Sequence, residues 1–381
     1  MKITSGLILL LVLLYPFFYV SNYIAFEISY QFTLYYFVPL TLLFFVLNMG
    51  KKPVAVLKKN SINLALLGLI LLIIGINTDD LRYSKPLLFF IYVINFYLLS
   101  LTLVFRENYK VVRYVFLFFS LLSFLFLFKP DRYMLDHRYF SFLLSPTVYS
   151  VYAEVVLILF LYQVKSTKKR IFIFLIAGFF IFITKTRLNL FFYISIPFLL
   201  YYFENFKASR GKILLVYIFC LNMLYPIYTY LVTFDFGKAT LVSTRYENGH
   251  DSSFGLRNYL NSLTYDEFLY KTDLSEKLFG KGTEQARKKI IEKIKFDLFT
   301  HNDFIRFAYD FGIICTILFL LFLYRITAGH YISFIMLLLY LFSFYHNMIY
   351  DFFLISLVIY YSGVERNTKD TVNTNQDLSY A

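Results

Sequence analysis

The chain has 381 residues, 59% of them hydrophobic and only 16% charged, with a formal net charge of +13 and a mean hydropathy of +0.62. Ordinary globular proteins are about 45–50% apolar and about 25% charged, and one core of this size could not hide the surplus. A water-soluble fold is excluded, and lipid is the solvent for most of the chain.

Taken in order, the apolar runs predict an all-α polytopic membrane protein with about twelve spans: 6–24, 31–48, 61–76, 86–105, 111–128, 146–164, 171–184, 188–203, 213–234, 304–324, 330–346 and 349–363. A spanning helix takes roughly 17–25 residues, so the shorter runs must extend into adjoining loops. The first run is apolar enough for a signal peptide, but no small-residue cleavage site follows it, so it reads as an uncleaved helix. Aromatics are 22% of the chain, 48 Phe and 36 Tyr with no Trp, so Tyr must supply any interfacial belt. Cys220 and Cys315 both lie in apolar runs and form neither a disulfide framework nor a metal site.

Placing the N-terminus in the cytoplasm puts 18 Lys and Arg on the inner segments, 7 on the short outer ones and 12 in one long outer stretch from Asp235 to Arg306. Long loops cross the membrane largely regardless of charge, so the short loops decide, and both termini are expected inside. Four regions follow. Residues 1–234 carry nine spans, 235–303 form a large outer loop, 304–363 carry three more spans, and 364–381 are a polar tail expected to be disordered. Within the loop, 253–269 reads as a helix after a Ser N-cap, and Leu278-Phe279-Gly280-Lys281-Gly282 as a turn. Residues 283–298 read as a basic amphipathic helix with Ala286, Ile290, Ile294 and Leu298 on one side. Such a helix either lies in the headgroup plane or caps the protein.

No P-loop, zinc-spaced His or Cys pair, or Gly-x-Ser-x-Gly elbow is present. Acids within the spans are few: Glu154 in the sixth, with Glu27 near a helix end. Their scarcity counts against a proton-coupled transporter. Asp79-Asp80, on a small outer loop, reads as a polar turn more readily than a cation site.

Three outer elements carry chemistry. Thr184-Lys185-Thr186-Arg187 sets two cations between apolar runs with no acid nearby; they snorkel to the headgroups or are used. In Ser252-Ser253-Phe254-Gly255-Leu256-Arg257, an arginine near a helix start suits an anion, or is a surface arginine. His301-Asn302-Asp303 leads into the tenth span, followed by Arg306 and Asp310. Capping accounts for Asn302 and Asp303; it does not account for His301, the side chain best suited to proton transfer near neutral pH.

These elements resemble those of the O-antigen polymerase and O-antigen ligase superfamily, the Wzy and WaaL type of bacterial envelope proteins. The Thr184–Arg187 turn is similar to their short T/S-x-T/S-R turn. Arg257, ahead of Leu278-Phe279-Gly280-Lys281-Gly282, is similar to their loop arginine before an LFGxG turn. His301-Asn302-Asp303 with Phe311-Gly312-Ile313-Ile314 resembles their HN-x-F/L…GIIG signature, departing at Cys315 where glycine is usual. The resemblance is good over the seventh to tenth spans and elsewhere rests on hydropathy.

The resemblance implies a GT-C-like glycosyltransferase in the bacterial inner membrane, working on undecaprenyl-diphosphate-linked glycans at the periplasmic face. Arg187 and Arg257 would neutralise the departing diphosphate, and His301 would accept or orient the acceptor hydroxyl proton. Lys185, Arg245, Asn302, Asp303 and Arg306 are candidate diphosphate or glycan contacts, and Tyr246, Tyr259 and Tyr265 could stack on sugars. The scheme calls for no metal or other cofactor. Expected partners are the lipid-linked donor and acceptor, the bilayer, a chain-length regulator of the Wzz type and a flippase, with no nucleic acid. Polymerase is the first reading; a ligase passing the glycan to lipid A-core, and a flippase or other transporter, are the alternatives.

Overall fold

The computed structural model describes residues 4–26, 30–48, 57–58, 60–78, 85–128, 134–135, 138–139, 143, 145–206, 209–231, 252–295, 302–329 and 331–379. They form an all-helical membrane protein, with one minimal antiparallel ladder pairing β1 (Met134–Leu135) with β2 (Arg138–Tyr139). The helices in chain order are α1 (Ser5–Phe26), α2 (Tyr30–Asn48), α3 (Ser61–Ile76), α4 (Lys85–Thr102), α5 (Tyr109–Leu127), α6 (Pro146–Gln163), α7 (Thr167–Ile183), α8 (Arg187–Asn205) and α9 (Arg210–Leu231). The loop follows with α10 (Ser252–Asp266), which continues as a π-turn over Glu267–Lys271, then α11 (Leu274–Phe279) and α12 (Gln285–Ile294). The last three are α13 (Asp303–Thr327), α14 (Tyr331–Ser343), ending in a 3-10 turn to His346, and α15 (Phe352–Ser379).

A helix therefore lies on each of the twelve apolar runs. Among the described residues, four of them, α4, α5, α6 and α13, are long and apolar enough to cross a membrane by length and composition alone. α15 carries on as helix into the polar 365–379 stretch, where the sequence predicts disorder.

Burial separates an inner set of helices from an outer one. α6, α14 and the apolar part of α15 are buried almost throughout. α5, α7 and α8 instead turn Leu117, Leu121, Phe172, Leu175, Phe191 and Phe198 outward. Such contiguous apolar exposure is stable only against lipid. The inner helices are tied by tyrosine hydroxyls. Tyr149 donates to Ser123 Oγ at 2.6 Å, Tyr152 to the Leu13 carbonyl at 2.9 Å, and Tyr360 to the Arg106 carbonyl at 2.8 Å. In a dry interior a phenol supplies large apolar area and a hydrogen bond to backbone that water cannot reach. Tyr97, Tyr149, Tyr152, Tyr340, Tyr360 and Tyr361 are all fully buried in this interior, away from any interfacial belt.

Candidate active site

The site is organised by a break in α13. Gly312 sits at φ 85°, ψ 162° in the middle of that helix. Gly280, which closes α11, sits at φ 94°, ψ 165°. This region is essentially open to glycine alone. The two breaks fit each other. A Cβ on Gly280 would strike the Asp310 carbonyl and the Phe311 backbone; one on Gly312 would strike the Leu278 carbonyl. At this contact the turn satisfies carbonyls that the broken helix leaves open: Lys281 N–H donates to the Tyr309 carbonyl at 3.1 Å, and Gly282 N–H to that of Asp310 at 2.9 Å. The Leu278–Gly282 turn and the Phe311-Gly312 step are thus two halves of one joint.

The end of α3 clamps the joint from the other side. Asn77 Nδ2 donates to the Phe279 carbonyl at 2.8 Å, and Thr283 N–H donates to the Asn77 carbonyl at 2.9 Å. Asp310 then extends it to α12, accepting from Ala286 N–H at 2.9 Å in the first turn, where helix N–H groups lack internal partners. Ala286 packs with Phe268, Ile305, Ala308 and Tyr309, so the apolar side of α12 faces protein at this point. Of its apolar side, Ala286 and Ile290 are buried. Glu267, in the π-turn, receives Lys293 at 3.1 Å, Lys271 at 3.2 Å and Lys289 at 3.6 Å. Burial alone would raise its carboxyl; the hydrogen bonds and charges of Lys293 and Lys271 outweigh that and hold it below the ordinary 4.5.

The start of α13 is fully enclosed. Asn302 is its N-cap, accepting from Phe304 N–H at 3.0 Å, as its position before the apolar run predicts. Its Nδ2 points back to Tyr265 Oη at 3.3 Å and Asn222 Oδ1 at 3.4 Å, tying the end of α10 and the middle of α9 to this point. Asp303 does not cap. It accepts from Ile349 N–H at 2.8 Å and pairs with Arg306 at 3.3 Å. The Arg306 guanidinium lies 5.5 Å from the centre of the Tyr350 ring, and Lys85 Nζ lies 5.7 Å from it. Two cations, Asp303 and a tyrosine are thereby held in a mostly apolar setting, an arrangement that is costly unless paired or used. Beside them is a cavity of about 300 Å³, walled by Tyr15, Lys85, Tyr152, His346, Tyr350 and Asp351 among others.

The Thr184–Arg187 turn is built by its threonines. Thr184 and Thr186, both buried, share a hydroxyl contact of 2.6 Å, and Thr186 N–H donates to Thr184 Oγ1 at 3.3 Å. Lys185 takes the left-handed conformation, φ 53°, and is exposed. Arg187 opens α8, and Arg257 lies in the second turn of α10; both are described by their backbone. His301 and Arg245 lie outside the described residues, as do Glu27, Asp79 and Asp80.

Of the predicted set, Asn302, Asp303 and Arg306 are thus found in one network, with Lys185 on a separate turn. Sequence reasoning did not identify Lys85, Tyr350 or Asn222 as members. Lys85 offered one signal, a cation opening an apolar run; Tyr350 and Asn222 offered none. Glu154 is fully buried on α6 and accepts from Asn189 Nδ2 of α8 at 3.3 Å, two residues beyond Arg187. No protein-family model matches the chain, and no curated protein matches it.

Proposed function

We propose that the chain is a glycosyltransferase of the outer face of the bacterial inner membrane, and that it polymerises undecaprenyl-diphosphate-linked repeat units into a surface polysaccharide. In this reading all twelve apolar helices span, both termini are cytoplasmic, and the 235–303 loop lies in the periplasm. An acceptor sugar hydroxyl attacks the anomeric carbon of the donor glycan and the bond to the lipid diphosphate breaks, inverting the anomeric centre. The electron pair leaves with the diphosphate. Arg187 and Arg257 neutralise the charge that grows on it, and His301 takes the hydroxyl proton.

The observation that carries this reading is the Gly280–Gly312 joint. It links two of the three segments that bear the resemblance to O-antigen polymerases, and it gives a physical reason for both glycines. Asn302 adds to it, because one side chain ties α13 at its first residue to α10, the helix of Arg257. Tyr265 lies eight residues beyond Arg257, so about 12 Å of helix separates the tie from that arginine. The neighbouring cavity, with aromatic walls and a few polar groups, has the general make-up of a ligand pocket.

Deletion of the gene tests the proposal. The deletion strain should accumulate single repeat units on the carrier lipid and lose long polysaccharide. Long chains left on undecaprenyl diphosphate would make it a ligase. Repeat units trapped on the cytoplasmic leaflet would make it a flippase.

A further inference from the structure

At the end of the bundle opposite the joint, where α13 finishes, lies a polar cleft of about 220 Å³ lined by Asn60, Asn63, Tyr97, Arg325, Ser362 and Arg366 among others. Its residues interlock. Arg325 Nε donates to Asn63 Oδ1 at 2.9 Å. Asn63 Nδ2 donates to Tyr97 Oη at 2.7 Å, and Tyr97 Oη donates to Asn60 Oδ1 at 3.2 Å. The Arg366 guanidinium lies 5.6 Å from the centre of the Tyr97 ring, and its Nη2 donates to Ser100 Oγ at 3.4 Å. Tyr97 is fully buried, so both arginines are referred to one fixed ring.

A cation that merely snorkels to the headgroups keeps its rotamer freedom. Arg325 does not: one nitrogen is held by an amide whose own orientation is set by Tyr97, and its terminal nitrogens are unspent among the described residues. The described lining of the cleft includes two guanidiniums and no carboxylate. The planar guanidinium fork of Arg325, fixed by a neutral amide, suits the oxygens of a phosphate group, which such forks bind by paired, charge-assisted hydrogen bonds.

We infer that this cleft binds a phosphate anion, either free or carried by an acidic phospholipid headgroup, at the face of the protein opposite the glycosyl-transfer site. The site is independent of the proposed activity, since it shares no residue with it.

The test uses the full chain purified in detergent, with its thermal midpoint followed against phosphatidylglycerol, net-neutral phosphatidylcholine and inorganic phosphate. Phosphatidylglycerol, inorganic phosphate or both should raise the midpoint in a saturable way. A response to the lipid alone identifies a headgroup site, and a response to phosphate a free-anion site. Arg325→Gln removes a charged hydrogen-bond donor from an exposed position and should weaken the response about tenfold or more. Asn63→Ala keeps both charges but releases Arg325, and should weaken it severalfold. Lys168→Gln, an exposed cation at the start of α7, should leave it unchanged. Equal stabilisation by phosphatidylcholine, no response to either anion, an unaltered response in Arg325→Gln or Asn63→Ala, or an equal loss in Lys168→Gln would each overturn the inference.

Discussion

Gly280 and Gly312 join the 278–282 turn to α13. Each lies where a side chain strains the backbone by about 1–3 kcal/mol, and each faces the other's backbone with no room for a Cβ. Gly280→Ala and Gly312→Ala should each lower the thermal midpoint and open the loop to protease. Because they spoil one contact, the double variant should cost less than the sum, by roughly 0.5–3 kcal/mol of coupling in a double-mutant cycle. Strict additivity would mean that the two glycines do not share a joint. The sequence marks both as parts of motifs, and marks the 278–282 stretch as a turn. That the turn fills the break in a helix thirty residues on is a tertiary fact, which no local pattern encodes. Asn302 shows the opposite case: its place before an apolar run is enough to assign the cap, while its second role towards Tyr265 and Asn222 appears only when three helices are assembled.

At the level of elements, α12 is held through Glu267 and Asp310. The Glu267 carboxyl is depressed in the folded protein. Its contribution is therefore complete above the ordinary value of 4.5 and is lost as pH falls through the lower, folded value. Protease sensitivity of the loop should rise in acid over that range, and Glu267→Gln should show the loosened behaviour already at pH 7. A wild-type loop no more sensitive in acid than at pH 7 would remove Glu267 from the account. The effect should be modest, since the lysines are partly exposed and such pairs contribute about 0–1 kcal/mol each. Periodicity makes α12 readable in advance, with Ala286 and Ile290 on its buried side. It does not say whether that side meets lipid or protein. Ala286 packs against Phe268 of the π-turn and Ile305 and Tyr309 of α13, contacts that the periodicity of α12 itself does not encode.

For the whole molecule, hydropathy alone locates the twelve apolar helices, because in lipid every backbone group must be satisfied within its own segment. Charge placement then gives an orientation that can be measured. Cysteines at Tyr270 and Ser275, both exposed in the loop, should react with an impermeant thiol reagent applied from the periplasm, and one at Ser166 should not. The reverse pattern would invert the molecule and move the proposed site to the cytoplasm. What hydropathy hides is the polar network inside the bundle. Lys85, Asp303, Arg306 and Tyr350 come from three stretches of chain; Asp303 and Arg306 are marked by their motif, while Lys85 reads as an isolated charge and Tyr350 as one more tyrosine among 36.

In the proposed reaction Arg187, Arg257 and His301 carry glycosyl transfer. Complementation of a strain lacking the gene, reading polysaccharide ladders at matched protein levels, puts all three residues to the test at once. Arg187→Lys and Arg257→Lys keep the charge but lose the planar fork, and each should reduce activity by about a hundred- to a thousandfold. His301→Ala should cost on the order of a hundred- to ten-thousandfold. Arg287→Ala and Lys288→Ala, on α12, should leave the ladder close to normal. Ladders of ordinary length and intensity from Arg257→Lys and His301→Ala would rule these residues out as the transfer site.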